Sequence, residues 1–306
     1  MDQYPIGGND RAGIDKPVLI VADSEALFAR AARTIEDAGL RMGAKLPIHQ
    51  ARARLSNQGA ASAIWIELSD ELSDEAGALL DEVNREVSNG RYGAVVSATP
   101  KLIDSISARI DDPRVEIIVD ASHADRIAAL AIGLQSLQFA GGISDIASDK
   151  SADRLRQLSE EVNRIAATLA RLSTGPSSVA PPLAAAPAAE EAPTIAAETV
   201  RSVIRARRLR SRYFPEELFA DPAWDMLLDL LQAEIAQLRV PVSSLCIAAA
   251  VPATTALRWL KTMVQQGVFV RRADPHDGRR VFVELSPDAS LGLRRYFAEV
   301  GKVAVI

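Results

Sequence analysis

Hydroxyl and basic side chains recur on one predicted helix in the C-terminal third of the chain. The helix spans 253–266, ends at Gly267, and has Leu257, Leu260 and Val264 on its apolar face. The polar candidates, expected on the opposite side of the helix, are Thr254, Thr255, Arg258 and Lys261. Such side chains hydrogen-bond to base edges and phosphates when a helix lies in the major groove of DNA.

A shorter helix precedes this one and completes a recognisable pair. Ser243 and Ser244 open a helix over 243–250, and Val251-Pro252 forms the turn between the two helices. A longer helix over 219–237 comes before them, with Asp221 and Pro222 placed as N-cap and first helical residue. Two short helices joined by a tight turn indicate a helix-turn-helix, with Ser243 and Ser244 as further DNA contacts.

A basic hairpin follows the helix pair. Residues 268–272 and 281–285 alternate as strands, and the Asp-Pro and Asp-Gly pairs between them favour turns. The candidate contacts of this hairpin with a minor groove or with phosphate are Arg271, Arg272, His276, Arg279 and Arg280.

The hairpin resembles the wing of MarR-type regulators. That family carries Asp-x-Arg, five residues, and then Leu-Thr or Leu-Ser, and Asp277, Arg279, Leu285 and Ser286 match at that spacing. The resemblance covers about residues 213–300. It implies a winged-helix fold, DNA binding as a dimer, and a wing arginine, Arg279, positioned by Asp277. Little chain follows Ala298, so dimerisation and sensing are expected elsewhere.

The N-terminal part alternates apolar strands with helices. Such alternation predicts a doubly wound α/β domain with a parallel sheet. The predicted strands are 18–22, 44–48, 63–68, 94–98 and 115–119, and the predicted helices are 24–39, 72–90, 102–110 and 124–137.

The strand ends of this domain resemble a response-regulator receiver in layout, with departures. Asp23 follows the first strand, Glu67 stands where the phospho-accepting Asp belongs, and Ser97 closes the fourth strand. Asp120 replaces the lysine that ends the fifth strand. Glutamate is one methylene too long and the added acid repels a phosphoryl group, so we expect a pseudo-receiver that is not phosphorylated. A generic α/β scaffold, or a cation site at Asp23, Glu67 and Asp70, stays open.

A narrow heptad seam lies between the two modules. Its six apolar residues are Leu155, Leu158, Val162, Ile165, Leu169 and Leu172. Their spacing of three and four residues is typical of a two-stranded coiled coil and predicts a homodimer. The alternative is an amphipathic helix that packs on its own domain.

The domain organisation follows from these segments. Residues 1–15 are expected to be disordered, 16–140 form the receiver-like domain, and 141–172 form the coiled-coil helix. Residues 173–198, rich in Pro, Ala and Ser, read as a linker, and 199–306 as the winged-helix domain.

Composition and charge limit the classes of function. The 306 residues carry a formal charge of −5, but Val200–Ile306 holds 16 Lys and Arg against 11 Asp and Glu. The back half is therefore the basic one, at +5, and the front half carries −10. One cysteine allows no internal disulfide, and the scattered histidines build no zinc site. No membrane span, signal peptide, phosphate loop or catalytic set is predicted, and no metal or cofactor is expected.

The sequence therefore predicts a multidomain, cytoplasmic, dimeric transcriptional regulator that is not an enzyme. Its winged helix would bind double-stranded DNA, and its pseudo-receiver would serve dimerisation or the input of a signal or of another regulatory protein. The alternative is a signalling adaptor in which both domains bind proteins.

Overall fold

The structure is a computed structural model that describes residues 17–56, 61, 63–140, 192–214 and 216–300; for 135–140 and 216–217 only the backbone is described. The heptad seam, most of the predicted linker and residues 1–16 lie outside the described residues. The described parts on both sides of the gap at 141–191 belong to one compact unit.

Five parallel strands form the N-terminal sheet, as the apolar runs predict. They are β1 (Val18–Ala22), β2 (Met42–Pro47), β3 (Ala63–Glu67), β4 (Gly93–Ala98) and β5 (Val115–Val119). Their order is β2-β1-β3-β4-β5, so β5 is an edge strand. The three inner strands, β1, β3 and β4, are buried along their whole length because helices cover both faces of the sheet.

The helices of this domain are α1 (Glu25–Asp37), α2 (Ile48–Ser56), α3 (Asp74–Ser88), α4 (Ile103–Ser107) and α5 (His123–Ala140). Helices α1 and α5 pack on one face of the sheet, and α2, α3 and α4 on the other. Ser24 and Ser73 begin α1 and α3 by accepting a hydrogen bond from a backbone N–H of the first turn. Helix α2 was not predicted from the sequence. Helix α4 is shorter than the predicted helix 102–110, because it ends at Ser107.

A close approach between β4 and α5 depends on glycine. A Cβ at Gly93 would overlap the carbonyl oxygen of Gly133, a backbone atom that has no room to move away. We expect Gly93→Ala to lower the free energy of unfolding by about 1–3 kcal/mol, as overpacked cores do. Urea unfolding measures this, with Gly278→Ala as the control because a Cβ there meets no atom within 4 Å. Equal stability of the two variants would contradict the close packing.

The C-terminal module consists of helices around a small antiparallel sheet. Its elements in chain order are α6 (Ala197–Leu209), α7 (Pro222–Ile235), β6 (Val240–Pro241), α8 (Val242–Ala248), α9 (Ala253–Gln265), β7 (Phe269–Ala273), β8 (Val281–Leu285) and α10 (Pro287–Val300). Short 3₁₀ turns at Arg210–Arg212 and Glu216–Phe219 join α6 to α7, and the strand order is β6-β8-β7.

Several local predictions for this module agree with the structure. The Asp221 side chain accepts from the Trp224 backbone N–H and Pro222 begins α7. Gly267 follows α9 with φ +71°, and the hairpin pairs Phe269 with Leu285. The predicted linker, however, extends too far, because α6 begins at Ala197. Helices α6 and α10 and strand β6 were not predicted.

The α/β domain and the C-terminal module share an apolar core. Ile103 of α4 and Val119 of β5 belong to the same buried cluster as Leu245 of α8, Leu257 of α9 and Phe269 of β7. The two modules therefore touch, which the sequence did not reveal.

No single helix in the described part of the chain is long and apolar enough to cross a bilayer. The pair α8 and α9, bent by 108°, is together long and apolar enough by length and composition alone.

Candidate nucleic-acid interface

Helix α9, the predicted recognition helix, packs on β5 of the α/β domain. Thr254 in its first turn is buried, with 6% of its surface exposed. The Thr254 hydroxyl donates to the Val119 carbonyl at 3.2 Å and accepts from the Val119 N–H at 2.9 Å. The hydroxyl thus satisfies the free backbone groups at one end of an edge strand, which would otherwise stay unpaired.

Two cations of α9 share one carboxylate on β5. Lys261 Nζ lies 2.7 Å from Glu116 Oε1, and Arg258 Nε lies 3.3 Å from Glu116 Oε2. Glu116 itself is buried, at 3% exposure, although it belongs to a strand of otherwise apolar residues. A buried carboxylate needs such partners because the desolvation of an unpaired charge is costly.

The start of α8 is held by a carboxylate from the other domain. Asp104 of α4 accepts from the Ser243 N–H at 2.9 Å and from the Ser243 hydroxyl at 2.5 Å. The negative charge also lies at the positive end of the helix, which favours this pairing. Ser243, predicted as a DNA contact, therefore serves here as an anchor between the modules.

Arg271 at the base of the hairpin reaches the same junction. Its guanidinium donates to the carbonyl of Ile110 at 3.1 Å and, through Nη2, to the carbonyl of Ser107. Burial lowers the pKa of the guanidinium, while the charge of Asp111 acts in the opposite direction. Arg271 thereby supplies hydrogen-bond donors to two backbone carbonyls, one at the end of α4 and one in the loop that follows it.

Six predicted DNA contacts have no partner in the α/β domain in the described structure. They are Ser244, Thr255, Arg272, His276, Arg279 and Arg280. Arg279 and Arg280 are exposed, and Arg272 pairs with Glu284 on the neighbouring strand. The structure therefore divides the predicted site into five residues that contact the α/β domain and six that do not. The five are Ser243, Thr254, Arg258, Lys261 and Arg271. Of the other six, Ser244 lies on α8, Thr255 on α9, and the rest on the β7–β8 hairpin.

The hairpin tip has the geometry that the resemblance implies. Asp277 Oδ1 accepts from the Arg279 backbone N–H at 3.1 Å and from Arg279 Nε at 3.3 Å. The backbone hydrogen bond is the largest of the causes that lower the pKa of the Asp277 carboxyl. His276 donates its backbone N–H to Asp274. Asp277 thus directs an exposed arginine outward from the tip.

One prediction about α9 is wrong. Arg258 and Lys261 were expected opposite Leu257, Leu260 and Val264, but all five side chains line the same cleft against the α/β domain. At 100° per residue, positions separated by three or four lie on one side of a helix, so the apolar and basic stripes are adjacent.

Sequence reasoning also missed the two acids that bind this face. Glu116 was visible as the lone charge in the apolar run VEIIV, and such a residue must have a buried partner. Asp104 carried no distinct signal because it lies in the first turn of a helix, where acids are common.

A buried network surrounds Glu67 at the end of β3, the position where the resemblance to receivers would place a phospho-accepting Asp. Glu67 is fully buried; Oε1 accepts from Trp65 Nε1 at 2.8 Å and from Arg126 Nη2, and Oε2 from Arg30 Nη2 at 2.8 Å. Arg126 also donates to Thr34 and Ser97 and lies over the Trp65 ring. Both carboxylate oxygens are occupied and shielded from solvent.

We expect the protein to resist aspartyl-type phosphorylation. Incubation with acetyl phosphate and Mg²⁺ should leave the intact mass unchanged, since a phosphoryl donor has no path to Glu67. A receiver domain with its native Asp is the positive control. Acid-labile phosphate on Asp23 or Asp70 would contradict the pseudo-receiver interpretation.

Three further side chains that could do chemistry, Asp23, Asp70 and Cys246, are hydrogen-bonded, paired or buried. Asp23 accepts from Ser69, and Asp70 pairs with Lys101 at 2.7 Å, which lowers the pKa of Asp70. Burial, followed by the charge of Asp104, raises the pKa of Cys246 to about 12. Within the described ranges, no group of three His, Cys, Asp or Glu residues is placed to hold a metal ion.

Comparison with known proteins gives similar solved structures, RcsB and Tm0710 among them, but no family. No family model and no curated protein match the chain. RcsB from Salmonella enterica serovar Typhimurium, bound to promoter P1flhDC in the presence of BeF3-, is similar over 45% of this chain and 68% of its own, with 16% identity and a TM-score of 0.30. Transcriptional regulator Tm0710 from Thermotoga maritima is similar over 34% and 79%, with 17% identity and a TM-score of 0.21. Both scores are below 0.5, and we therefore base the function on the contacts of this chain.

Proposed function

We propose that this protein is a cytoplasmic transcriptional regulator that binds double-stranded DNA through a winged helix-turn-helix formed by α8, α9 and the β7–β8 hairpin. The observation that supports this most is the combination of a helix pair and an exposed hairpin tip, where Asp277 holds Arg279 outward. Phosphate and minor-groove contacts need such an exposed cation.

The described arrangement is, in this proposal, the closed form of the regulator. Thr254, Arg258 and Lys261 would face base edges, yet all three bind β5. A helix that lies against β5 has no access to the major groove. DNA binding therefore requires the α/β domain, a pseudo-receiver of flavodoxin-like strand order, to release α9. The apparent DNA affinity is reduced by the fraction of molecules that are open.

Selection of duplex fragments by the full chain at two salt concentrations tests the proposal. We expect bound fragments to share a sequence, and Arg279→Ala/Arg280→Ala to weaken binding and flatten its salt dependence by about one unit of slope per lost phosphate contact. The control, Arg85→Ala/Arg91→Ala, removes two exposed arginines of the α/β domain and should bind as the unmodified chain does. Unchanged binding by the hairpin variant would exclude the wing as a DNA contact.

The alternative, a signalling adaptor, is favoured by one specific observation. The polar face of α9 already forms a protein interface, with an apolar centre at Val119 and charged pairs around it. In an adaptor, α9 would leave the α/β domain and bind a partner protein through the same residues. A chain whose α9 is released but which binds no duplex would support the adaptor.

We also propose that the heptad residues hold two copies of the chain together. Leu158→Asp combined with Ile165→Asp should convert a dimer to a monomer in light scattering, because acids in an a/d seam cannot be desolvated. The control places the same change on Gln157 and Arg164, which lie outside the six predicted seam positions. A chain that is monomeric without any substitution would contradict dimerisation.

A further inference from the structure

A cleft lies between the α/β domain and the C-terminal module, beside the contacts that hold α9. Its volume is about 120 Å³. An engineered apolar cavity of about 150 Å³ accepts benzene, so this cleft has room for a ligand of comparable size. The walls come from both sides: Ile110 and Ile117 from the α/β domain, and Leu257, Leu260 and Val264 from α9.

The polar lining of the cleft has more positive than negative charge available to a ligand. Arg258 and Lys261 share Glu116, and Arg271 donates to two backbone carbonyls of the described structure. Asp112 pairs with the cation Arg114 at 2.7 Å. Asp111 accepts from the neutral Asn84 at 2.6 Å and keeps its charge, which acts on Arg271, so three cations of the lining face two acids, Glu116 and Asp111.

Arg258 is a partly exposed cation of the lining, with 35% of its side chain exposed and its Nε 3.3 Å from Glu116 Oε2. Its Nη2 is buried without a hydrogen-bond partner among the described residues and is therefore out of reach of a ligand in the cleft. The exposed part of the guanidinium can pair with an anionic acceptor. A carboxylate matches an arginine best, because its two oxygens fit the planar donor group.

We propose that this cleft binds a small organic monocarboxylate with an aliphatic body, and that the bound ligand stabilises the closed form. The carboxylate lies against the exposed part of the Arg258 guanidinium and the Lys261 ammonium, and the body packs on the isoleucines, leucines and valine of the walls. Because residues of both modules line the cleft, the ligand binds the closed form better than the open one and shifts the equilibrium toward it. The regulatory half of this proposal rests on the proposed function; ligand binding itself does not.

Hexanoate is the probe for the first test, with the neutral amide hexanamide as its isostere. Methyl NMR of the full chain should show saturable shifts of Ile110 and Ile117, with a Kd on the order of 1 mM for a ligand of this size. Hexanamide should bind about tenfold more weakly, because its neutral carbonyl forms no ion pair with Arg258 or Lys261. Acetate should also bind more weakly, since it leaves the apolar walls uncovered. Equal binding of acid and amide overturns the proposal, as does the absence of saturation.

Two variants locate the ligand. Arg258→Gln removes the cationic guanidinium from the lining, and Val264→Trp fills the cleft while leaving every charge in place. Both variants should lose at least tenfold in hexanoate affinity. Arg295→Gln, an exposed arginine of α10, is the control and should bind as the unmodified chain does. Retained binding by Val264→Trp overturns the location of the site.

Hydrogen exchange tests the effect on the closed form without any DNA. Saturating hexanoate should slow exchange of the amides of α9 and of Val119 several-fold, and hexanamide at the same concentration should not. Unchanged exchange with hexanoate bound would overturn the regulatory half. If hexanoate binds and slows exchange but no duplex is ever selected, the site stands and the DNA-binding function fails.

Discussion

Glu116→Gln is expected to raise the affinity of the full chain for its selected duplex about tenfold. In the closed form this change removes the carboxylate that Arg258 and Lys261 share and leaves the two cations beside each other. In the open form residue 116 is a neutral side chain and both cations are free to meet phosphate. The substitution therefore destabilises the closed form relative to the open form. The free energy lost with the interactions of the carboxylate is on the order of 1.5–3 kcal/mol before screening by solvent, and the larger open fraction raises the apparent affinity for DNA.

Duplex binding is measured by fluorescence anisotropy, and opening by hydrogen exchange of α9. Asp104→Asn should act in the same direction because it weakens the anchor of Ser243. The matched control is Glu86→Gln, which removes an ion pair of equal length, 2.7 Å to Arg91, within the α/β domain. The same affinity for Glu116→Gln and the unmodified chain, with faster exchange in α9, would show that release of the helix does not control DNA binding.

Arg126→Met is expected to lower the free energy of unfolding by about 3–5 kcal/mol. Arg126 is 5% exposed and links Glu67, Thr34 and Ser97, which lie on β3, α1 and β4. Without the guanidinium, the fully buried Glu67 keeps only Trp65 and the half-exposed Arg30 as partners. A carboxylate left in that position must either be desolvated alone or take up a proton.

Urea unfolding of a double-mutant cycle separates the pair from its surroundings. Glu67→Met/Arg126→Met should be more stable than Arg126→Met, because replacing both ions by apolar side chains removes the unpaired charge. Arg91→Met, which breaks an ion pair with an exposed arginine, is the control and should cost less than about 1 kcal/mol. Additive single-variant effects would show that Glu67 and Arg126 are not coupled.

The fate of Glu67 illustrates where sequence reasoning stops. Its place at the end of β3 followed from the apolar run before it, and its unsuitability as a phospho-acceptor followed from its side-chain length. Its partners did not, because Arg30 and Arg126 lie 37 and 59 residues away in the chain. Only the packing of α1 and α5 on one face of the sheet brings them to β3.

Local patterns also explain the successes and failures within the C-terminal module. Asp221-Pro222, Gly267 and the Asp277–Arg279 pair are read correctly because their hydrogen bonds connect residues at most a few positions apart. Helix α6 was missed because it is rich in arginine and follows a Pro/Ala-rich segment. Its buried apolar face is short and consists of Val200 and Val203. Its helical state depends on packing against α7.

The sequence by itself determined the parallel α/β domain, the helix pair with its hairpin, and the basic side chains on both, because strand and helix periodicity and turn chemistry are local properties. Only the tertiary structure decided that Thr254, Arg258, Lys261, Ser243 and Arg271 bind the α/β domain. Those contacts connect residues 135 to 164 positions apart. Their formation depends on the docking of two modules, where hydrogen bonds to Glu116, Asp104 and backbone carbonyls and burial around Val119 act together.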